Sequence, residues 1–313
     1  MNIGLYDVDS HNFPNLPLMK LSAWHKKQGD NVEFINRFKH YDKVYVSKVF
    51  GDEYSTMDDT VINADEIVYG GTGFCITIED GKEVFDKEKD KPLPDEIEHI
   101  MPDYSLYPDY KKACGFLTRG CPNNCPFCIV SKKEGRVSHK VANLSEFWNG
   151  QKAIDLMDAN ILSCRDHLDL LSQLRDSGAR INFLQGLDAR FLTQSNINLL
   201  KEIKVEHYHF AFDLMENKER IVGGLKLFRE NIDQLADCYV LTNFNTTFEE
   251  DMERVKILQE LNIRPYVMIY RKNTAPKRLK DLQRWSNNRF IYASCPNFED
   301  YKKGGIDERN ETL

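Results

Sequence analysis

Hydrophobic and polar positions along the first third of the chain predict alternating strands and a helix. Short apolar runs predict strands at residues 3–8, 32–35, 44–49 and 67–69. Leu18, Leu21 and Trp24 recur at helical spacing, and Gly29 marks a helix stop. The sequence Gly70-Gly71-Thr72-Gly73 directly follows the last of these strands. Strands, a helix and a glycine turn in this order are typical of a small doubly wound, Rossmann-like sheet.

A charged segment separates this region from the rest of the chain. Residues 79–98 are dense in Lys, Asp and Glu, and prolines stand at positions 92, 94, 102 and 108. Because few apolar side chains are present to anchor a core, residues 80–110 are predicted to form a hairpin or loop and then a linker. We therefore predict a Rossmann-like α/β domain with a charged linker over residues 1–108 and a second domain over residues 109–313.

Apolar runs recur regularly in the second domain. They predict strands at residues 114–117, 153–157, 181–184, 208–212, 239–241 and 266–269. After the first, a strand returns about every 27 to 30 residues, which is the length of one βα unit. The intervening segments have helical spacing, and the clearest helix start is a capping box from Thr247 to Glu250. Six such units predict a parallel, barrel-like sheet with its chemistry in the loops at the carboxyl ends of the strands.

Composition places the chain among globular proteins. Its 313 residues are 41% hydrophobic and 29% charged, enough to bury a core. A net charge of −7 does not indicate nucleic acid as a partner. No apolar run approaches the ~18 residues of a membrane span, and the N-terminus lacks the pattern of a signal peptide. We therefore expect a cytoplasmic protein without a membrane partner, whose eight cysteines are thiols or metal ligands.

The strongest chemical signal is the loop of residues 121–128, called the cysteine loop below. Cys121, Cys125 and Cys128 have C-x3-C-x2-C spacing and follow the first strand of the βα series. Three thiolates so close together can hold three irons of an iron–sulfur cluster and leave the fourth open to a small molecule. A structural zinc site with Cys114 or His139 as fourth ligand is the alternative. It is disfavoured because structural zinc sites usually combine two C-x2-C pairs, and the second pair is missing.

The segment Thr118-Arg119-Gly120-Cys121 through Cys128, with aromatic Phe127 before the last cysteine, resembles the signature loop of the radical S-adenosylmethionine (SAM) superfamily. The six βα units are similar to the partial (β/α)6 barrel of that superfamily, so the resemblance covers about two thirds of the chain. It implies that Cys121, Cys125 and Cys128 ligate a [4Fe–4S] cluster and that SAM chelates the fourth iron. It further implies reductive cleavage of SAM to a 5′-deoxyadenosyl radical that abstracts hydrogen from a substrate.

The resemblance also implies cofactor-binding residues beyond the cysteines. Phe127 is expected near the adenine of SAM. Asp158 and Asn160 lie after the second strand of the series, where the superfamily often has a glycine-rich motif, and they resemble the version found in the cobalamin-associated branch. Polar residues at later strand ends complete the predicted set, which adds Gln185, Arg190, Asp213 and Thr246. Each of these residues taken alone is more typical of a turn or a helix cap.

An α/β domain before such a barrel is similar to the cobalamin-binding architecture of one branch of the superfamily. The glycines of residues 70–73 fit that fold, because they let the backbone approach a cofactor tail. Asp9-Ser10-His11 is similar to the start of an Asp-x-His-x-x-Gly motif whose histidine ligates cobalt. Pro14 stands where that motif has glycine. The sequence therefore favours a scaffold or partner surface over bound cobalamin.

Two other functions compete with a radical SAM enzyme. A non-enzymatic iron–sulfur or zinc-binding interaction protein would bind metal without cleaving SAM. An RNA methylthiotransferase is disfavoured, because that family carries three further cysteines in its N-terminal domain and this chain has only Cys75 before Cys114. The expected partners are a small-molecule or macromolecular substrate that the sequence does not identify, and an electron donor such as flavodoxin or ferredoxin. The basic run Lys132, Lys133, Arg136, His139 and Lys140 is predicted to be a solvated loop, the alternative being a contact for an anionic substrate or reductant.

Overall fold

The computed structural model of the chain describes residues 1–11, 13–79 and 82–301. It is a mixed α/β protein with parallel sheets, which confirms the predicted class. The chain divides into two compact units, Met1–Leu184 and Gln185–Leu313. The predicted domain boundary at residue 108 stays a prediction. Within the described residues, no helix combines the length and the apolar character needed to cross a membrane.

The first unit contains most of the strands. They are β1 (Asn2–Asp7), β2 (Asn31–Phe34), β3 (Tyr41–Ser47), β4 (Ala64–Gly70), β5 (Ile76–Glu79), β6 (Lys82–Phe85), β7 (Ala113–Gly115), β8 (Thr118–Arg119), β9 (His139–Lys140), β10 (Ala153–Leu156) and β11 (Arg180–Phe183). Its helices are α1 (Leu16–Lys27), α2 (Asp95–Glu98), α3 (Val130–Lys133) and α4 (His167–Ser177).

The first four strands form one parallel sheet in the order β2-β1-β3-β4. Each overlaps a predicted strand, so the expected strand–helix–strand order of this region is confirmed. Asn15 caps α1 by accepting a hydrogen bond from the backbone N–H of Leu18, and Gly29 takes φ +86° just after the helix. One face of α1 packs on the sheet, where Leu18 contacts a buried cluster with Ile3 and Leu5.

The segment after the β5–β6 hairpin is part of the core of this unit. A hairpin was one of two alternatives predicted from residue 80 onward, and the observed antiparallel hairpin begins earlier, at Ile76, with residues 80 and 81 outside the described part of the chain. Ile97 is buried in the same cluster as Leu18, and Leu93 and Leu106 pack against it. Asp103 also accepts a hydrogen bond of 2.6 Å from Ser22 Oγ. The prediction that this segment anchors no core was wrong, because its few apolar residues all pack into or against one buried cluster.

A second parallel sheet of the first unit leads into the cysteine loop. Strand β10 pairs with β7 on one side and with β11 on the other. At the end of β7, a Cβ atom added to Gly115 would lie 2.4 Å from the ring of Phe147, which is buried. The strand can therefore end here only with glycine, since a larger side chain would displace the aromatic ring.

Replacing Gly115 with alanine should destabilise the protein by about 1–3 kcal/mol, the usual cost of overpacking a filled core. Urea denaturation followed by circular dichroism measures the change in the free energy of unfolding. The matched control is Gly223→Ala, in a helix of the second unit where no atom lies within 4 Å of the added Cβ. That control is expected to be neutral or stabilising, by up to about 1 kcal/mol. Equal effects of the two changes would contradict the packing argument.

The second unit contains a three-stranded parallel sheet and five helices in the described residues. Its strands are β12 (Lys204–Val205), β13 (Tyr208–Ala211), β14 (Ala236–Thr242) and β15 (Arg264–Ile269), and its helices are α5 (Gln194–Glu202), α6 (Lys218–Asn231), α7 (Phe248–Glu260), α8 (Lys277–Asn287) and α9 (Arg289–Ser294). The sheet order is β13-β14-β15. The predicted capping box at Thr247 and Glu250 begins α7. Val255, Val267 and Trp285 belong to the buried core of the second unit.

Candidate functional site

A tight turn at Gly120 connects the strands β7 and β8 to the cysteine loop. Strand β8 follows β7 closely and pairs antiparallel with β9. Gly120 then takes φ +88°, and a Cβ atom there would lie only 2.3 Å from the carbonyl oxygen of Val137. The backbone N–H of Cys121 donates to the carbonyl of Gly135 at 3.1 Å. Glycine is therefore required at position 120, both for its positive φ and for the close approach of a second backbone segment.

The three cysteines differ in exposure. Cys121 is buried, whereas Cys125 and Cys128 are half-buried. The backbone N–H of Cys128 donates to the carbonyl of Cys125 at 3.0 Å, so these two residues share one turn just before α3. Phe127 is half-buried within the same turn. The loop therefore combines two half-buried cysteines with one that is enclosed by protein.

Asn160 contacts the enclosed cysteine. Its side-chain amide nitrogen lies 3.6 Å from Sγ of Cys121, within the range of a hydrogen bond to sulfur. Its own backbone carbonyl accepts hydrogen bonds from Ser138 Oγ at 2.9 Å and Ser163 Oγ at 3.0 Å, which hold the residue in place. A donor to sulfur stabilises the thiolate form and tunes the potential of an iron–sulfur cluster. The structure thus brings one of the predicted residues to a cysteine of the loop.

Asp158 holds the strand that enters the loop. Its carboxylate accepts hydrogen bonds from the backbone N–H of Leu117 at 3.1 Å and 3.2 Å, and from the N–H of Thr118 at 2.5 Å and its hydroxyl at 2.7 Å. Burial raises the pKa of Asp158 to about 6, although these hydrogen bonds act in the opposite direction. The contacts make Asp158 a positioning residue for β8, and its contact with SAM stays a prediction.

The raised pKa of Asp158 predicts a pH-dependent contribution to stability. Between the usual value of 3.8 and about 6, the folded state keeps a proton that the unfolded chain releases. This contribution is present at low pH and lost as the pH rises through about 6. Relative to Asp158→Asn, which cannot titrate, the wild type should lose up to roughly 3 kcal/mol of unfolding free energy between about pH 4 and 7. Urea denaturation of both proteins across this range tests it, and parallel profiles would refute it.

A charged pair that the sequence did not reveal fixes the start of the cysteine loop. Nη1 of Arg119 lies 2.7 Å from Oε1 of Glu134, and the other carboxylate oxygen accepts the backbone N–H of Gly120 at 3.1 Å. The guanidinium also lies 3.3 Å above the ring of Phe116. Glu134 closes α3, so the two ends of the loop are joined through one carboxylate. No local pattern in the sequence indicates a pair separated in this way.

The glycine turn of residues 70–73 packs against protein backbone. A Cβ atom on Gly71 would lie 2.3 Å from the carbonyl oxygen of Lys48, and one on Gly73 would lie 2.3 Å from that of Phe50. These contacts account for both glycines without a cofactor tail. Between them, Thr72 accepts a hydrogen bond of 2.5 Å from Nζ of Lys133, at the end of α3. Burial lowers the pKa of Lys133, so this member of the predicted solvated basic run is held against protein.

The predicted cobalamin motif has a structural use as well. Asp9 is buried, and its carboxylate accepts the backbone N–H groups of Val49 at 2.8 Å and Phe50 at 2.9 Å. His11 is exposed and takes φ +46°. Residue 12 of the same motif lies outside the described residues. Asp9 therefore orders the end of β3, and cobalamin binding stays a prediction that the sequence disfavours.

A polar cluster around the buried side chain of Asp155 was not predicted. Asp155 on β10 accepts hydrogen bonds from the hydroxyl of Tyr110 at 2.5 Å, from Nζ of Lys112 at 3.1 Å and from Nδ2 of Asn182 at 3.1 Å. Asn182 is its cross-strand partner on β11. Burial, followed by the bond to Asp155, raises the pKa of Tyr110. Strand register creates this cluster, and register between distant strands has no signature in a single sequence.

The remaining predicted residues lie in the second unit, and the first of them surround one short turn. Gln185 is exposed. Arg190 makes a bidentate ion pair with Asp188, with Nε and Nη2 lying 2.8 Å and 2.9 Å from the two carboxylate oxygens. Asp188 also caps the turn by accepting the backbone N–H of Arg190 at 3.1 Å. Cofactor binding by Gln185 and Arg190 stays a prediction.

Asp213 and Thr246 follow the carboxyl ends of neighbouring strands in this unit. Oδ1 of Asp213 accepts the backbone N–H of Leu241 at 3.0 Å, and burial raises the pKa of the carboxyl. The hydroxyl of Thr246 donates to Oδ1 of Asp251 at 2.6 Å. The structure thus gives both predicted residues contacts within the protein, and their part in cofactor binding stays a prediction.

Arg254, inside the apolar face of α7, was missed. It is fully buried, and Nη1 donates to the carbonyls of Phe212 at 2.7 Å and Asp213 at 3.0 Å, while Nη2 donates to that of Leu241 at 2.9 Å. It also makes a close ion pair with Asp251. Arg254 therefore links helix α7 to the carboxyl ends of β13 and β14 through hydrogen bonds to their carbonyl groups. The helical spacing of the apolar residues in α7 places Arg254 beside the core, but it does not identify the groups to which the guanidinium binds.

The two alternative fourth ligands of a zinc site differ in their surroundings. Burial, with the charge of Asp155, raises the pKa of the Cys114 thiol to about 12, so a metal ion would have to displace its proton in order to bind it. His139 is exposed. A tetrahedral zinc ion with bonds of ~2.3 Å requires sulfurs about 3.8 Å apart. Across residues 1–11, 13–79 and 82–301, no trio that includes the loop cysteines keeps its ligand atoms within 4.8 Å of one another. Binding of a cluster or of zinc by the loop therefore stays a prediction.

Comparison with known proteins gives no family for this chain. No protein-family model matches it, and no curated protein matches it either. Function is therefore inferred from the residues and contacts above.

Proposed function

We propose that the chain is a radical SAM enzyme, built from an N-terminal Rossmann-like, cobalamin-binding-like domain and a partial (β/α)6 barrel. One observation carries the proposal: a C-x3-C-x2-C loop follows the buried parallel strand β7, with only the short strand β8 between them, and a side-chain amide donates to its enclosed cysteine. The parallel strands β7, β10 and β11 in one unit and β13, β14 and β15 in the other support the barrel part of the proposal.

The cysteine loop fits a [4Fe–4S] cluster by its donor set. Cys121, Cys125 and Cys128 would hold three irons, and the accessible side of the turn would leave the fourth iron to SAM. When bound, such a cluster supplies the electron that splits SAM into methionine and a 5′-deoxyadenosyl radical, which takes a hydrogen atom from the substrate. Because this chemistry needs a reduced cluster, we further propose a cytoplasmic protein with a flavodoxin or ferredoxin as electron donor.

The residues around the loop would support this chemistry by binding and positioning. Asn160 would donate a hydrogen bond to the sulfur of Cys121, which favours the thiolate that an iron ligand must be. Phe127 would contribute an apolar surface for the adenine. The Arg119–Glu134 pair would keep the two ends of the loop together when the loop is loaded. Gln185, Arg190, Asp213 and Thr246 would contribute polar contacts to SAM or to the substrate.

The test is anaerobic reconstitution of the purified full chain with iron and sulfide, then addition of dithionite and SAM. We expect the broad visible absorption of a [4Fe–4S] cluster and the formation of 5′-deoxyadenosine and methionine in equal amounts. Omitting dithionite is the control and should leave SAM intact. A fully assembled cluster that cleaves no SAM with dithionite, or with reduced flavodoxin, would refute the enzyme and favour an iron–sulfur interaction protein.

A further inference from the structure

Three potential metal ligands meet in the sheet of the second unit. The ligand atoms of His207, His209 and Asp237 all lie within 4.8 Å of one another, and this is the one such group of three or more in the described residues. The rings of the two histidines are 4.6 Å apart between centroids. Two imidazoles and a carboxylate form a set that divalent transition metals bind well.

The sheet itself creates this arrangement. His207 and His209 are two residues apart, so their side chains leave an extended chain on the same side. The parallel pairing of β13 and β14 places Asp237 directly opposite His209. The next strand continues the row, because Arg264 on β15 is in register with Asp237. The backbone hydrogen bonds of β13 with β14 and of β14 with β15 fix the register of these strands. This register places the three ligands side by side.

His207 supplies the contact whose geometry fits a shared metal ion. Its Nε2 atom is buried and makes no hydrogen bond within the described chain. It lies 3.2 Å from Oδ2 of Asp237. A zinc ion with bonds of ~2.0–2.1 Å holds neighbouring ligand atoms about 3.3 Å apart, so this pair already has the spacing that the ion requires. Nε2 thus faces a carboxylate oxygen without a hydrogen bond to it, and a metal ion bound by both atoms would satisfy the nitrogen.

Tyr239 orients His209, the third ligand, and Arg264 neutralises part of the charge of Asp237. The ring of His209 stacks on that of Tyr239 with an interplanar angle of 1°, and its Nδ1 lies 3.4 Å from the tyrosine hydroxyl. Arg264 makes a close ion pair with Oδ2 of Asp237, which is 9% exposed. That cation competes with a metal ion for the same carboxylate. The competition predicts that removing Arg264 strengthens metal binding.

We propose that His207, His209 and Asp237 form a binding site for Zn²⁺ or a chemically similar divalent transition-metal ion. The three residues stand where β13 and β14 begin, at the edge opposite to Asp213 and the other residues that follow the strands. In parallel α/β sheets the catalytic residues lie beyond the carboxyl ends of the strands. The ion therefore joins two strands and stabilises the sheet, without a part in the chemistry of the cysteine loop.

The experiment is a Co²⁺ titration of the full chain, previously cleared of metal with a chelator. Imidazole and carboxylate ligands give Co²⁺ d–d absorption without the thiolate charge-transfer bands that mark binding to cysteines, so the two kinds of site are counted separately. We expect one thiolate-free site per chain. His207→Gln and His209→Gln should each weaken it at least tenfold, whereas Arg264→Gln should tighten it severalfold because the competing cation is gone.

The matched control is His99→Gln, which removes a half-exposed histidine of the first unit that is ion-paired with Glu146. It should leave the Co²⁺ affinity of the thiolate-free site within twofold of wild type. Circular dichroism without metal establishes that each variant folds, and a variant that unfolds is replaced by its asparagine counterpart. The proposal is overturned if the wild type shows no thiolate-free Co²⁺ site, if both histidine variants bind as the wild type does, or if Arg264→Gln weakens binding. None of these outcomes depends on SAM cleavage, so the site can fail while the proposed enzyme stands.

Discussion

Replacing Cys125 with alanine is expected to abolish both assembly of the [4Fe–4S] cluster and cleavage of SAM. Cluster iron is held by cysteine thiolates, and the loop provides three of them for the three irons that SAM does not occupy. Without Cys125, only Cys121 and Cys128 remain as ligands. Residues 125 and 128 share one turn, in which the Cys128 N–H donates to the carbonyl of residue 125, and this turn would then provide one sulfur instead of two. Iron and sulfide content, visible absorption and 5′-deoxyadenosine formation should all fall below a hundredth of wild type.

The control for this change is Cys295→Ala. Cys295 is half-buried like Cys125, but it lies in the second unit after α9, where its thiol contacts the carbonyl of Asn297. Its removal should leave cluster content and SAM cleavage unchanged within twofold. SAM cleavage that survives in Cys125→Ala, with the control also active, would contradict the assignment of the ligands and with it the proposed function.

Asn160 allows a finer test of the same site. Replacing it with alanine removes the donor to Cys121 Sγ but none of the three sulfurs. The cluster should therefore still assemble, and its reduction potential should become more negative because the sulfur loses a hydrogen bond. Potentiometric titration of the reconstituted cluster measures this shift. An unchanged potential would show that the amide does not act on the cluster.

Local patterns in the sequence predicted the elements of the fold well. The ten predicted strands all overlap observed strands, because apolar runs between turn residues report burial directly. The helix start at Thr247 was recognised from a capping box whose two residues lie within one turn of each other. Gly29, the predicted helix stop, follows α1 closely with a positive φ of +86°. Each of these features is decided by neighbours in the chain.

Features that depend on distant residues could not be predicted. The segment around Ile97 was expected to be a linker, and only its packing on α1 makes it part of the core. Asp155 and Asn182 meet because β10 and β11 pair in one register, as do His209 and Asp237 on β13 and β14. A single sequence holds the alternation along each strand but not the offset between two strands.

For the predicted site residues, the sequence indicated the position in the fold but not the contacts. Asp158 and Asn160 were placed correctly after a strand, yet one of them supports the backbone of Thr118 and the other contacts Cys121. A polar residue at a strand end can bind a ligand or satisfy a neighbouring backbone group, and the sequence pattern is the same for both. Their roles in the proposed enzyme therefore follow from contacts rather than from position.

Arg254→Met is expected to destabilise the second unit by about 3–5 kcal/mol, the cost of leaving one partner of a buried ion pair alone. The guanidinium is fully buried, and its loss would strand Asp251 together with the carbonyls of Phe212 and Leu241. Burial already raises the pKa of Asp251, so the remaining carboxyl would take up a proton rather than stay charged. Urea denaturation followed by circular dichroism measures the loss.

The matched control is Lys256→Met on the exposed face of the same helix, which should change stability by less than about 0.5 kcal/mol. A double change, Arg254→Met with Asp251→Leu, separates the ion pair from the carbonyl contacts. If the pair itself is the main source of the loss, the double variant should recover much of it, since apolar replacement of a buried pair is often neutral. If it recovers nothing, the carbonyls at the ends of β13 and β14 are the groups that need Arg254. In that case the arginine is what holds the strand ends that carry Asp213 and precede Thr246.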